Sequence, residues 1–310
     1  MSPDAVNQAI SADSALLKTD VNRECEVEYM YELLKDGIDL HVHTAPSIYD
    51  RRIDDFELLK ELDSAGMGGA VIKSHYTETA TRAQIANKYG NAKAKLYGAI
   101  TLNHNTGGLN PIALEIALRL GIKTVWLPTF HAQNGLDYLS KVSKKPPVVG
   151  PGICVMDKDN KLLPAVHEII DLVKQYDVIL QTGHLSPVET FAVAEEALKK
   201  GVKVVITHAD GLSTWVPKDM QIQLARKGAF IDKSWNNLWH GHISPEEMAQ
   251  GIKEISPKQC IMTSDRGQKT REDPIEGLCK FTSALLEHGI TKTEIQLMLR
   301  DNPKYLLGIE

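Results

Sequence analysis

Short apolar runs of the β-strand type alternate with amphipathic helical patterns along most of this chain. Eight such runs follow residue 37, and most are followed by a helical pattern such as DDFELLKELDSAG at 54–66. The runs lie near residues 38–44, 69–75, 96–103, 123–129, 178–184, 203–209, 228–234 and 259–264. A strand that is followed by a helix returns to the same end of the sheet, so the strands are expected to pair in parallel. Eight repeats are the number that closes an α/β barrel of the (β/α)8 or TIM type.

Two segments depart from this repeat. Residues 1–36 form a polar N-terminal extension with a predicted helix near 23–35, and the barrel is expected to cover 37–310. An insertion at about 130–165 follows the fourth strand and is rich in Pro and Gly. Within it, ICVM, DKDN and KLLP at 153–164 predict a small β-hairpin. Because it follows a strand, the hairpin is expected at the carboxyl-end rim as a partial lid.

Composition limits the classes of partner. The chain has 310 residues and a formal net charge of −5 with no basic block, which argues against nucleic-acid binding and polybasic membrane attachment. No apolar run approaches the roughly 20 residues of a membrane span, and the N-terminus lacks the pattern of a secretory signal. The four cysteines form no CxxC pair, which is typical of free thiols in a reducing compartment. We therefore expect a cytoplasmic protein that acts on a small molecule; its N-terminal extension could pack across a second copy in a homo-oligomer.

Polar side chains stand where several predicted strands end. His41 and His43 lie two apart in IDLHVHT, so both point to one face of the strand. His184, His208 and Asp265 end three later strands. The carboxyl ends of barrel strands meet at one rim, where catalytic residues of this fold lie. Imidazole nitrogens with one carboxylate are the ligands of a catalytic zinc-type metal, so the sequence predicts a metal site at this rim.

Further polar residues are expected to face the same rim and to contact substrate. They are Lys73, His75, His104, His131 and Arg266. Lys73 and His75 are two apart on the second strand; Lys73 could remain charged and hold a substrate anion, or become carbamylated near metal ions. Arg51, Arg52 and Arg271 lie in rim loops and could also hold a carboxylate or phosphate, but Arg266 is favoured because it follows Asp265. The WHGH segment at 239–242 is predicted to form a pocket wall.

These motifs resemble the amidohydrolase superfamily of metal-dependent hydrolases. DLHVHT at 39–44 with GH184, TH208 and SD265 on later strands carries the resemblance, and the ending DNPKYLLGI at 301–309 is similar to that of many members. The resemblance covers about 38–309. More narrowly, the chain resembles an uncharacterised branch whose members carry HVHTAPS and a KSH segment.

The resemblance implies a role for each strand-end residue. His41, His43, His184 and Asp265 become metal ligands, and His208 becomes either a ligand of a second metal or a base. Asp265 also moves the proton in catalysis. Members with two metals use a bridging Lys or Glu on the fourth strand, which here is TVWLPTFH and has neither. The resemblance therefore favours one divalent ion, most often zinc, while two ions remain open through Lys73, His75 or His131.

The implied reaction is hydrolysis of an amide, cyclic amide, lactone or related C–N or C–O bond by a metal-activated water. A decarboxylase of a small unsaturated or aromatic acid is the alternative, since a single metal and the rim arginines suit a carboxylate. A phosphoesterase of the polymerase-and-histidinol-phosphatase type is a further alternative. DLHVHT is similar to its first motif, but SDRG at 264–267 differs from its usual Asp-x-His. A non-catalytic barrel that retains the metal for stability or binding is also open.

Overall fold

Eight strand positions form the centre of the fold in the computed structural model, which describes residues 28–142 and 150–309. The third strand is in two segments separated by Gly98. In chain order the strands are β1 (Ile38–Val42), β2 (Gly69–Ile72), β3 (Lys95–Tyr97 and Ala99–Thr101), β4 (Thr124–Trp126), β5 (Ile179–Gln181), β6 (Val204–Ile206), β7 (Phe230–Ser234) and β8 (Cys260–Thr263).

Each strand pairs in parallel with the next, from β1 to the first segment of β3 and from its second segment to β8. Hydrogen bonds also join the two ends of this series. The backbone nitrogen of Asp265 donates to the carbonyl of His41 at 3.0 Å, and that of His43 donates to the carbonyl of Arg266 at 2.8 Å. The strands therefore run around a ring, which confirms the α/β barrel predicted from the repeat.

Helices cover the outside of the strands. They are α1 (Asp55–Ser64), α2 (Ala80–Tyr89), α3 (Pro111–Arg119), α4 (Gln133–Val142), α5 (Pro164–Gln175), α6 (Pro187–Lys199), α7 (Lys218–Arg226), α8 (Trp235–Trp239), α9 (Pro245–Ile255), α10 (Pro274–Glu287), α11 (Lys292–Gln296) and α12 (Asn302–Leu307), with a π-helical turn at Leu297–Asp301 and 3₁₀ turns at His104–Thr106 and Pro257–Gln259. Ser186 and Ser244 begin α6 and α9 through capping boxes, each followed by Pro. No helix within the described ranges combines the length and the apolar character needed to cross a membrane.

The two departures from the repeat are described in part. Residues 28–34 are helical, whereas the predicted extension before residue 28 lies outside the described residues. After α4, the chain from 150 onwards returns to the barrel through a parallel bridge between Ala132 and Ile153. An antiparallel bridge between Met156 and Leu162 then closes the turn, so the predicted hairpin is present as one short pairing.

The barrel interior below the rim formed by the carboxyl ends of the strands is filled by apolar side chains, which we call the apolar floor. Its buried members are Ile38, Leu40, Val71, Ala99, Trp126, Ile179, Val205, Phe230, Ile261, Leu306 and Leu307. The last two belong to α12, so the C-terminal helix closes this end of the barrel. A second, larger apolar layer fills the space between strands and helices.

Candidate functional site

A bulge in β1 turns both predicted histidines of this strand into the barrel. The register with β2 pairs Asp39 with Ala70 and then Val42 with Ile72, so β1 has one residue more than its partner over this interval. Such an insertion interrupts the alternation of side chains. Leu40 belongs to the apolar floor, as alternation from Ile38 predicts, and because of the bulge the next residue, His41, also faces the interior, with its ring centroid 5.4 Å from that of Trp126.

Asp265 lies at the centre of the histidines. One carboxylate oxygen is 3.3 Å from Nε2 of His41 and 3.2 Å from Nε2 of His43, and the other is 3.7 Å from Nε2 of His208. Burial alone would raise the pKa of Asp265, but its interactions with His41 and His208 and the hydrogen bond with His43 outweigh burial and hold the pKa well below its usual range. The carboxylate is therefore ionised at neutral pH.

A second carboxylate, which the sequence analysis missed, holds His208. Asp232 on β7 is fully buried and accepts a hydrogen bond from the backbone nitrogen of His208 at 3.1 Å. The same oxygen is 3.4 Å from Nδ1 of His208, and the other accepts a hydrogen bond from the Thr263 hydroxyl at 2.6 Å. The sequence does contain a sign of this residue. Asp232 lies two residues after Phe230 in a predicted strand, so alternation directs both side chains into the barrel.

Two of the central residues have an unusual backbone conformation. His208 and Asp265 both have φ of 48°, in the left-handed region that non-glycine residues rarely adopt. This conformation carries a cost in free energy, and outliers of this kind cluster at functional sites. The chain turns at these two residues directly after β6 and β8, with both side chains directed toward the same centre.

His184 lies farther from the centre. Its ring is 5.9 Å from that of His208 and 6.3 Å from that of His75, measured between centroids. Among the described residues, two sets have ligand atoms within 4.8 Å of one another: His41 with His43 and Asp265, and His41 with His208 and Asp232. The structure thus brings His41, His43, His208 and Asp265 together, and places His184 across the same cavity. Ligation by His184 stays a prediction.

Lys73 and His75 enter the same space from the end of β2. Lys73 is 2% exposed, and its Nζ lies 5.1 Å from the centroid of the Trp126 ring. Burial lowers the pKa of Lys73 to about 8, although the negative charges of Asp265 and Asp232 oppose this effect. Nδ1 of His75 is 2.8 Å from the Thr129 hydroxyl. We call His41, His43, Lys73, His184, His208, Asp232 and Asp265 the polar chamber; all of them are buried except His184, which is partly exposed.

The other three predicted substrate residues lie outside the cavity lining. His104 is exposed, with Nε2 2.9 Å from the carbonyl of Pro151, and its ring lies 4.8 Å from that of His131. Arg266 is fully buried, and its Nε donates to Glu272 at 2.9 Å. The side chain of Arg266 turns away from the cavity, and it connects the loop after β8 with Glu272. Substrate contact by these three residues stays a prediction.

The polar chamber can hold a metal ion. Burial lowers the pKa of His43 to about 4 and those of His41 and His184 well below the usual value, so these rings are neutral at neutral pH. Neither ring nitrogen of His41 has a hydrogen-bond partner among the described residues. Burying polar atoms without partners is costly, and metal ligation would satisfy one of them. Neutral imidazoles beside an ionised carboxylate fit a divalent metal with nitrogen and oxygen ligands.

The polar chamber opens into a cavity of about 650 Å³ at the carboxyl ends of the strands. Arg51, Tyr49 and Asn236 are among the residues that line it, together with most of the chamber. Two larger hollows, of about 1000 and 910 Å³, lie beside residues 28–36 and α1 and contain none of the site histidines. Although these two hollows are larger, they lack the residues that could carry out chemistry in the polar chamber, so we assign the site to the smaller cavity.

Comparisons with known proteins place the chain in a family and a fold. The model of a family described as "Family of unknown function (DUF6282)" matches residues 36–232. The structure resembles the amidohydrolase from Pseudomonas aeruginosa with a TM-score of 0.61 at 12% identity, over 90% of this chain and 98% of that one. The organophosphorus hydrolase from Deinococcus radiodurans gives 0.59 at 12% identity, over 89% and 94%.

A third similar structure is the 2,6-dihydroxybenzoate decarboxylase from Rhizobium, with a TM-score of 0.52 at 12% identity over 88% of this chain and 99% of that one. No curated protein matches the sequence significantly. At these identities the likeness shows the fold alone, and it confirms the α/β barrel that the sequence repeat predicts.

Proposed function

The chain belongs to this family of unknown function, and we propose that it is a metal-dependent hydrolase of small-molecule amides, cyclic amides, lactones or related C–N and C–O bonds. The observation that carries the proposal is the position of Asp265, which is buried, lines the cavity and lies within 3.7 Å of three histidine rings. An ionised carboxylate among neutral imidazoles is suited both to metal binding and to proton transfer.

His41, His43 and Asp265 would hold the ion, and their nitrogen and oxygen donors suit zinc. A divalent ion bound there supplies Lewis acidity, which activates water at neutral pH and polarises the bond to be cleaved. His184 faces the same cavity and would complete the ligand set after a small movement of its side chain.

Asp265 and His208 would carry out the proton transfers. The carboxylate of Asp265 is ionised and would accept a proton from the attacking water, and the acid so formed would donate it to the leaving nitrogen or oxygen. His208 faces the same carboxylate, and Asp232 fixes its position through the backbone hydrogen bond. His208 is therefore placed to assist as a hydrogen-bond partner or base.

The end of β4 favours one ion over two. Its inward residue is Trp126, which contacts His41 and Lys73 and offers no carboxylate or amine to bridge two metals. The set of His41, His208 and Asp232 is the alternative place for a second ion. Since both sets use His41, we favour a single ion held on the Asp265 side.

A decarboxylase is the second candidate, favoured by a cation in the cavity. Arg51 lines the space in front of Asp265, where it could seat the carboxylate of a substrate. The similar fold of the 2,6-dihydroxybenzoate decarboxylase agrees with such a reaction on this scaffold. Release of carbon dioxide without consumption of water would distinguish it from hydrolysis.

The proposal is tested by metal analysis combined with an activity panel. We expect the purified full-length protein to contain about one equivalent of a divalent ion. Hydrolysis of a panel of amides, cyclic amides and lactones should be lost on chelation and restored by zinc. Near-normal turnover in metal-free protein would contradict the mechanism.

Asp265→Asn is the informative variant, because it keeps the shape of the side chain and removes its charge. We expect it to lose turnover while its melting temperature stays close to that of the wild type. Asp171→Asn is the matched control, since Asp171 is an exposed residue that pairs with Lys200 on the outer surface. If both variants lost the same fraction of turnover, the activity would not depend specifically on Asp265.

A further inference from the structure

The cavity contains more fixed positive than negative charge. Arg51 and Lys73 line it as cations, and Asp265 lines it as a buried anion, whereas the buried Asp232 is not part of the lining. Lys269 and Asp50 also line it, but they pair with each other at 3.0 Å on the exposed rim. A cavity with this balance attracts anionic groups.

Arg51 differs from the other arginines near the rim. The guanidinium of Arg82 binds Asp55 at 2.7 Å, and that of Arg266 binds Glu272 at 2.9 Å. Arg271 donates to Asn236 at 2.6 Å. The Arg51 guanidinium has no hydrogen bond or ion pair within residues 28–142 and 150–309, and its Nε is buried. A buried donor without a partner is costly, which suggests that its partner comes from outside the chain.

The backbone fixes where Arg51 lies. Arg51 pairs with Gln268 in an antiparallel bridge, and the next residue, Arg52, donates its backbone nitrogen to Gly267 at 3.0 Å. The loop after β1 is thereby joined to the loop after β8, which carries Asp265. Arg51 is partly buried and faces the cavity, whereas Arg52 is exposed and does not line it.

We propose that Arg51 binds an oxyanion group of the substrate, a carboxylate or a phosphate, and that Lys73 adds a second positive charge at the inner end of the same cavity. The planar guanidinium can donate two parallel hydrogen bonds to such a group. Asp265 does not require Arg51 as a partner, because three histidines already surround its oxygens. The inference rests on the proposed function and assigns a substrate class to it: hydrolysable small molecules that carry an anionic group.

Equilibrium binding tests the inference without turnover. Benzoate and phenylphosphonate are the anionic probes, and benzamide is the uncharged probe of similar shape. Calorimetric titration of the full-length, zinc-loaded protein should give a clearly lower Kd for one of the two anions than for benzamide. Arg51→Met should raise that Kd about tenfold to a hundredfold, as expected for loss of a charge-assisted hydrogen bond. The anion that binds more tightly identifies a carboxylate or a phosphate as the preferred group.

Three controls keep the result specific. Arg52→Met removes a neighbouring exposed arginine and should leave the Kd unchanged. Arg51→Lys retains the charge without the planar fork and should lie between wild type and Arg51→Met. Metal content and melting temperature of each variant should match the wild type, which separates loss of the anion site from loss of the ion or of folding.

Two results would overturn the inference: equal Kd values of wild type and Arg51→Met for both anions, or anions that bind no more tightly than benzamide. The first would assign any anion binding to the metal itself. Repeating the titrations on metal-stripped protein separates this outcome from failure of the proposed function. Anion binding that depends on Arg51 but accompanies no metal-dependent turnover would preserve the anion site and reject the hydrolase.

Discussion

The apolar floor and the polar chamber occupy the same barrel, one directly above the other, and they differ in almost every physical property. The change takes place within two residues of β1, since Leu40 belongs to the floor and His41 to the chamber. The floor buries apolar side chains, and its one side-chain donor, the indole N–H of Trp126, has no hydrogen-bond partner among the described residues. The chamber buries charged and polar groups, among them the ionised Asp265 and the amine of Lys73.

This difference separates what stabilises the barrel from what equips it for chemistry. Removal of apolar floor surface from water stabilises the fold, whereas burial of the chamber groups opposes their charged forms and shifts their pKa values. Residues held at a cost of this kind are typical of functional sites. Substitutions in the chamber are therefore expected to change metal binding and activity, and those in the floor to change stability.

The largest effect is expected from His41→Ala. His41 belongs to both sets of possible metal ligands, so its loss should remove the ion and abolish turnover while the fold is retained. Metal analysis, circular dichroism and the activity panel check this. His167→Ala is the matched control, because His167 lies partly exposed on α5, away from the barrel interior. Full metal content in His41→Ala would contradict the assignment of the chamber as the metal site.

His208→Ala should have the next largest effect. General acid–base assistance is typically worth about 10²–10⁴ in rate, so with a single ion kcat should fall by roughly that range while metal content stays the same. If a second ion uses His208 and Asp232, about half of the metal should be lost instead. Measurement of metal stoichiometry and kcat on this variant distinguishes the two cases. Wild-type values of both would remove His208 from the site.

Leu40→Ala should have the opposite effect to the chamber variants: it should lower stability and leave metal content and turnover nearly unchanged. Truncation of a fully buried leucine leaves a cavity and typically costs about 2–5 kcal/mol of unfolding free energy. Denaturant unfolding measures this loss, and metal content and kcat per folded molecule should remain close to wild type. A variant of unchanged stability that loses the ion would break the proposed division between floor and chamber.

The smallest effect is a change in pH dependence. The pKa of His43 is about 4 in the folded protein, below the value of about 6.5 expected for an unfolded chain. Between these values the unfolded chain binds a proton that the folded chain does not, so the unfolding free energy of metal-stripped protein should fall as the pH drops from about 6.5 to about 4. Asp39, whose pKa burial raises to about 7, acts in the opposite direction.

His43→Gln isolates the contribution of this one group, because Asp39 is the same in both proteins. Its slope of unfolding free energy against pH should be smaller by up to about 1.4 kcal/mol per pH unit. Leu40→Ala should keep the wild-type slope. Identical slopes for wild type and His43→Gln would mean that His43 is not held in its neutral form by burial.

Much of the site could be predicted because it depends on local pattern. The repeat of strands and helices predicts the barrel, and the barrel brings strand ends to one rim, so His41, His43, His208 and Asp265 could be placed together from their positions alone. The direction of strand side chains follows from alternation, which is why Lys73 could be expected inside.

Side chains in loops could not be predicted in this way. Arg266 follows Asp265 directly, yet it turns outward to Glu272, while Arg51 from a distant loop faces the cavity. Sequence distance does not determine these directions, because they depend on how the loops after β1 and β8 pair with each other. Asp232 was missed for a related reason. A single acidic residue in a strand can be recognised as part of the site only once the fold shows that it holds His208.

The sequence by itself thus determined the barrel, the rim and the histidines with Asp265 that meet there, because strand periodicity and parallel order are properties of the chain. The tertiary structure alone decided the bulge that turns both histidines of β1 inward, the support of His208 by Asp232, and the position of Arg51 in the cavity lining, where its Nε has no partner among the described residues. These features arise from contacts between residues far apart in sequence, which packing brings together only in the folded protein.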